Sequence, residues 1–199
     1  LVQQHVHGQV RSYIMQLKQR LRRRIDHEGV LAELCSLWDR DIRTTSHEIE
    51  KQVGEGSRCK ADDWLEIERA LPDLLEQIDV RMINGTAKDA LDYVDSATGL
   101  KVIAIGGDKL ARGLTLEGLC VSYFLRASKM YDTLMQMGRW FGYRPGYLDL
   151  CRLYTTPDLV EWFEHIADAA EELRAEFDFM RDSGLTPRQY GLKVVSHPV

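Results

Sequence analysis

Five short apolar runs, separated by stretches of helical periodicity, constrain this 199-residue chain more than any other feature. They are Leu1–Val6, Val80–Ile83, Lys101–Ile105, Leu119–Leu125 and Leu150–Tyr154. Each is rich in Val, Ile or Leu, too short for a helix, and bounded by turn residues, so each is expected to be a buried strand. Between them, Gln9–Arg24 carries Val10, Ile14, Leu17 and Leu21 on one helical stripe. Strands alternating with amphipathic helices predict an α/β fold with a parallel sheet flanked by helices.

One segment departs from that alternation. Residues 29–79 show helical periodicity only and read as a helical insertion, with GEGSR (Gly54–Arg58) as a hinge and Pro72 breaking the second half. Near the other end, Thr156-Pro157-Asp158 is a helix start, with a hydroxyl cap, a proline in the first turn and then an acid. The helix it opens carries Leu159, Trp162, Phe163, Ile166, Ala170, Leu173 and Phe177 on one side and is expected to end at Gly184.

The length suits one domain, 1–199, containing the insertion. With 44% hydrophobic residues a sizeable core is available, yet no run reaches the roughly 20 apolar residues of a membrane span. The first residues lack the pattern of a secretion signal, so the expected location is the cytoplasm, with no membrane partner. Net charge is -5 and the pI about 5.7, which argues against nucleic-acid binding through bulk charge. Lys18, Arg20, Arg22, Arg23 and Arg24 nevertheless form a basic cluster. It reads either as a solvated helix face or as a patch contacting DNA phosphates. Cys35, Cys59, Cys120 and Cys151 are too far apart for a zinc-type pair, and Cys120 and Cys151 are expected to be buried thiols. His5 and His7 alternate on the expected first strand without a third ligand, so no metal site is expected.

In α/β sheets, ligands bind where loops leave the carboxyl ends of strands. Two such loops stand out. In Ile103–Leu119, a strand leads into Gly106-Gly107-Asp108, then Ala111-Arg112-Gly113-Leu114-Thr115. Glycines there let backbone N–H groups approach a phosphate, with Arg112 or Thr115 adding contacts; a plain glycine turn with a structural arginine reads the same way. In Met135–Tyr147 (MQMGRWFGYRPGY), two arginines sit among three glycines and four aromatics. A guanidinium fork suits phosphate oxygens, although an aromatic corner around Trp140, Phe141 and Tyr143 also accounts for the composition.

The order of these elements resembles motifs five and six of superfamily-two helicases, which lie in the second RecA-like domain. More closely, GGDKLARGLTLEGL, SYFLR, YDTLMQMGRWFGYRPGY and the terminal GLTPRQYGLKV resemble the Z-one (Z1) domain of bacterial proteins described as endonucleases linked to restriction-modification systems. The resemblance runs from Leu1 through most of the chain and is weakest in the helical insertion. It implies a RecA-like sheet and the C-terminal half of a DNA-dependent ATPase. Gln136, Arg139 and Arg144 match the motif-six positions that reach a nucleotide held by the N-terminal RecA-like domain of the same protein. Gly107, Asp108, Arg112, Gly113, Thr115 and Glu117 would sense nucleotide and nucleic-acid backbone. The step from Arg139 to Arg144 is longer than such helicases usually have, so either arginine can be the finger. Thr115 stands where an acid is usual, with Glu117 two residues on. The chain has no GxxxxGK[ST] loop, so ATP and Mg2+ are expected only in the full-length protein. Two alternatives are an endonuclease domain with an unrecognised active site and a non-catalytic interaction module on a helicase fold.

Overall fold

The computed structural model describes residues 2–54, 59–83, 99–107, 110, 116, 118–125, 131–138, 146–184 and 186. Helices and short parallel strand pairs make up an α/β chain that divides into two compact units: 1–118 with 143–151, and 119–142 with 152–199.

The first unit opens with α1 (Val2–Arg23), whose inner stripe Ile14, Leu17 and Leu21 is buried. That stripe forms a core with Val30 of α2 (His27–Leu37) and Leu75 of α4 (Trp64–Gln77). Burying a Leu or Ile side chain stabilises by about 1.5–3 kcal/mol, so this cluster holds three helices together. The sharp turn between α1 and α2 puts Arg24 (φ 54°) and Asp26 (φ 47°) in the left-handed region. The Arg20 guanidinium offsets that strain by donating to the Asp26 carbonyl (2.8 Å) and pairing with its carboxylate.

Helix α2 then widens into a π-helical stretch, Trp38–Arg43, before α3 (Thr44–Val53). Three consecutive hydroxyls serve the carbonyls of this wider turn: Thr44 donates to Asp39 (2.9 Å), Thr45 to Asp41 (2.8 Å) and Ser46 to Ile42 (3.0 Å). Helix α3 ends at Gly54, whose φ of 83° suits glycine. Asp63 caps α4 by accepting from the Leu65 amide. Helix α4 runs straight into β1 (Asp79–Ile83), which pairs in parallel with β2 (Val102–Gly106), from Asp79 opposite Val102 to Ile83 opposite Gly106.

In the second unit, β3 (Val121–Tyr123) and β4 (Arg152–Tyr154) also pair in parallel. The chain between them includes α5 (Tyr131–Gly138), and α6 (Pro157–Ser183) follows. Leu134 of α5 and Leu159 of α6 are essentially inaccessible, and Phe124 meets Phe163 with ring centroids 6.3 Å apart. The Thr156 hydroxyl accepts from the Leu159 amide at 3.4 Å, and Gly184 closes the helix at φ 66°, as the sequence predicts.

Several expectations need correction. Residues 2–6 are not a strand: Val2 to Val6 form the first turns of α1 and continue the Gln9–Arg24 pattern without a break. Pro72 does not break α4 but sits inside it, because packing of Leu71 and Leu75 against the α1 core outweighs one missing backbone hydrogen bond. Phe177 is 46% exposed, and Met180 takes the buried position near the end of α6. Among the described residues the strands form two separate parallel pairs; residues 29–53 and 64–77 are helical, and most of the predicted hinge lies outside the described residues.

Candidate functional site

In the first unit, the carboxyl ends of β1 and β2 lie side by side at Ile83 and Gly106. The chain leaves β2 through Gly106 and Gly107 and turns at once, the Leu110 amide donating to the Gly107 carbonyl at 3.0 Å. Close approach explains the first glycine. A Cβ on Gly106 would sit 2.9 Å from the Ile83 carbonyl oxygen and 2.8 Å from the Leu110 side chain. Gly107 differs, since among the described residues a Cβ there would meet only the amide of Gln3, the far end of a flexible side chain that can swing away. Its φ is not positive, so backbone conformation does not demand glycine at 107, nor does packing against any described residue. What glycine leaves at 107 is backbone with only the Gln3 amide against it among the described residues, at the end of a parallel strand, the place where α/β folds hold anions.

The first turn of α1 completes this corner. Gln3 lies against Gly107, and one turn along, His7 Nε2 contacts the Val80 carbonyl at 3.2 Å. Neither residue belongs to the sequence-derived site, because reading 1–6 as a strand places His5 and His7 on one face. In the helix, residues two apart point to different sides, and no group of described His, Cys, Asp or Glu residues could hold a metal. The spacing of Val2, Val6 and Val10, four apart each time, was the signal that could have extended the helix.

Of the residues singled out from the sequence, Gly107 is at this corner, and Gln136 is an exposed residue of α5 in the second unit. Asp108, Arg112, Gly113, Thr115, Glu117, Arg139 and Arg144 lie outside the described residues. The basic cluster is largely engaged within the fold. Lys18 Nζ donates to the Glu76 (3.3 Å) and Ile78 (3.0 Å) carbonyls, capping the C-terminal end of α4 where the helix dipole favours a cation. Arg20 braces the α1–α2 turn, and Arg22 lies 3.9 Å from Glu76. Among the described residues, Arg23 and Arg24 are left without an ion pair.

Asp79 opens β1 beside Arg81, Nε to Oδ2 2.8 Å. The hydrogen bond from Arg81 holds its carboxyl below the ordinary value of 3.8, against a small opposing effect of burial. A buried hydrogen bond, Ser46 Oγ to Asp149 Oδ2 at 2.6 Å, joins α3 to the 146–151 turn. The family comparison adds the remaining fact: the Z1 domain model matches residues 1–199.

The chain belongs to the Z1 domain family. No curated protein and no solved structure gives a significant match. The Z1 match covers the strand-end glycines, the basic cluster and the helical segment alike. Among its described residues, no helix of this Z1 domain is long and apolar enough to cross a membrane.

Proposed function

We propose that this Z1 domain is the C-terminal RecA-like half of a DNA-dependent, helicase-like ATPase of a restriction-modification or other DNA-defence system. The observation that carries the reading is the glycine turn at the carboxyl end of β2 in a parallel pair, where packing against the described residues does not require Gly107. A glycine that the fold itself does not need is accounted for by backbone that must come close to something else, and an anionic phosphate is what such an element takes. Support also comes from the order of motifs, with Arg139 and Arg144 following that turn in the sequence.

In this reading ATP and Mg2+ are held chiefly by the N-terminal RecA-like domain of the full-length protein, where the nucleotide supplies the phosphoryl group that is transferred. Backbone at Gly107 meets phosphate or nucleic-acid backbone, Gln136 orients, and Arg139 or Arg144 stabilises charge that develops as the phosphoryl group moves. An arginine in that role is worth roughly 10³ to 10⁵ in rate. DNA enters as a partner through phosphate contacts, for which Arg23 and Arg24 are the members of the basic cluster without an ion pair among the described residues.

The test is DNA-stimulated ATP turnover of the full-length protein. Arg139→Ala or Arg144→Ala is expected to lower turnover by roughly 10³ or more with little change in ATP affinity, because the contact strengthens in the transition state. Normal turnover in both variants would refute the assignment. Metal-dependent DNA cleavage by the 199-residue chain alone would favour the endonuclease alternative instead.

A further inference from the structure

The turn between α1 and α2 breaks two local rules at once. Helix α1 closes with the long hydrogen bond of a Schellman end, the Ile25 amide donating to the Arg20 carbonyl at 3.1 Å. The left-handed position of such an end usually holds glycine, and here it holds Arg24 at φ 54°. The apolar residue that follows usually folds back onto an apolar side chain at the accepting position. Here that position is Arg20, whose guanidinium is committed to Asp26, and Ile25 stays 60% exposed. Asp26, on the other side of Ile25, is also left-handed at φ 47°. Among the described residues, Arg24 and Asp26 are the non-glycine positions with positive φ.

A strained turn therefore presents a lone isoleucine among charged residues. Arg22, Arg23 and Arg24 precede it, and all three are exposed. Acids are near as well: Glu76 lies 3.9 Å from Arg22, Glu68 lines the same groove as Arg24, and Glu28 stands in the first turn of α2. Charge alone does not choose a partner here; the size of the apolar feature does. A stable protein interface covers about 800 Å² on each side around an apolar centre. Binding to a membrane surface takes the apolar face of a whole helix. One isoleucine supplies neither. It has the size of a wedge that enters between two bases, with guanidiniums on the flanking phosphates.

We propose that Ile25 is a wedge that inserts at an unstacked base step of DNA while Arg23 and Arg24 hold the adjoining phosphates. The proposal rests on DNA being the partner, as in the proposed function, and adds what in the DNA is recognised. Insertion costs unstacking, so a step already loosened by a mismatch or a duplex end is preferred over fully paired duplex. The left-handed residues on either side hold the isoleucine outward before DNA arrives, which lowers the cost of ordering it on binding.

Fluorescence anisotropy of the 199-residue chain, without nucleotide and over a range of salt, tests this with a labelled duplex carrying a central mismatch and its fully paired counterpart. The mismatched duplex is expected to bind about tenfold more tightly. Ile25→Ser should abolish that preference and leave the salt dependence unchanged, whereas Ile25→Leu should keep both. Arg23→Gln with Arg24→Gln should weaken both duplexes alike and lower the salt slope by about two. A base analogue that brightens on unstacking, placed at the mismatch, should respond to the wild type and not to Ile25→Ser. Circular dichroism separates lost folding from lost contact, since the substituted side chains are exposed. Equal affinity for the two duplexes, or a preference that Ile25→Ser retains, overturns the wedge and leaves DNA as the partner. Absence of salt-dependent binding to either duplex overturns the wedge and the phosphate contacts together. Loss of binding to anionic lipid vesicles on Ile25→Ser, with no mismatch preference, would assign the turn to a membrane surface instead. The ATPase reading is tested separately by turnover in the Arg139 and Arg144 variants.

Discussion

Adding a single methyl group at each of the two adjacent glycines should separate what the fold needs from what the site needs. In Gly106→Ala the new Cβ would lie 2.9 Å from the Ile83 carbonyl oxygen and 2.8 Å from two carbons of Leu110. The carbonyl belongs to the backbone of β1, held in register against β2, so it cannot move without disturbing the pair. Overpacking of this kind costs about 1–3 kcal/mol. In a domain of this size that lowers Tm by roughly 2–12 °C. Gly107→Ala adds the same atom, but its neighbour is the Gln3 amide, which rotates away; a gain of roughly 0.4–1 kcal/mol from a less flexible unfolded chain offsets any residue of strain. Urea titration of the isolated chain is the assay, with the midpoint expected to fall for Gly106→Ala and stay near wild type for Gly107→Ala. In the full-length protein, Gly107→Ala is then expected to impair DNA-stimulated ATP turnover although it folds normally. Equal destabilisation by the two substitutions, or none by Gly106→Ala, would refute the packing argument.

Other expectations follow from single contacts. Leu134→Ala, at a fully buried position of α5, should cost about 2–5 kcal/mol, read as a shift in the denaturation midpoint. Ser46→Ala removes the hydroxyl that Asp149 meets at 2.6 Å and should cost about 1–3 kcal/mol, since a buried carboxylate loses a donor. Thr156→Ala removes the α6 cap and should cost about 1 kcal/mol. Asp79 has a lowered folded pKa, so its contribution is present above its unfolded value of 3.8 and lost as pH falls through the lower folded value. Arg81→Gln should flatten the acid limb of the stability–pH curve in that window, and an unchanged limb would remove Arg81 as the cause.

Much of the local structure was legible because it depends on residues close together in the chain. The α1 stripe, the Thr156 cap, the Gly184 stop and the positions of four of the five strands follow from periodicity and terminal chemistry that neighbouring residues satisfy among themselves. The loop after β2 was legible for a similar reason, as two glycines at the end of an apolar run mark a strand end wherever they occur. Tertiary structure decided the rest. Whether Pro72 ended α4 depended on Leu71 and Leu75 having α1 to pack against. Pairing of the basic cluster was equally hidden: Lys18 meets carbonyls about sixty positions away, and nothing local distinguishes it from Arg24. The sequence shows two equivalent glycines at 106 and 107, and only the approach of Ile83 from a distant strand makes one a packing requirement, while among the described residues the other meets only the flexible end of Gln3. Periodicity reports which face of an element is apolar, whereas the partner that covers that face is set by contacts between segments far apart in the chain.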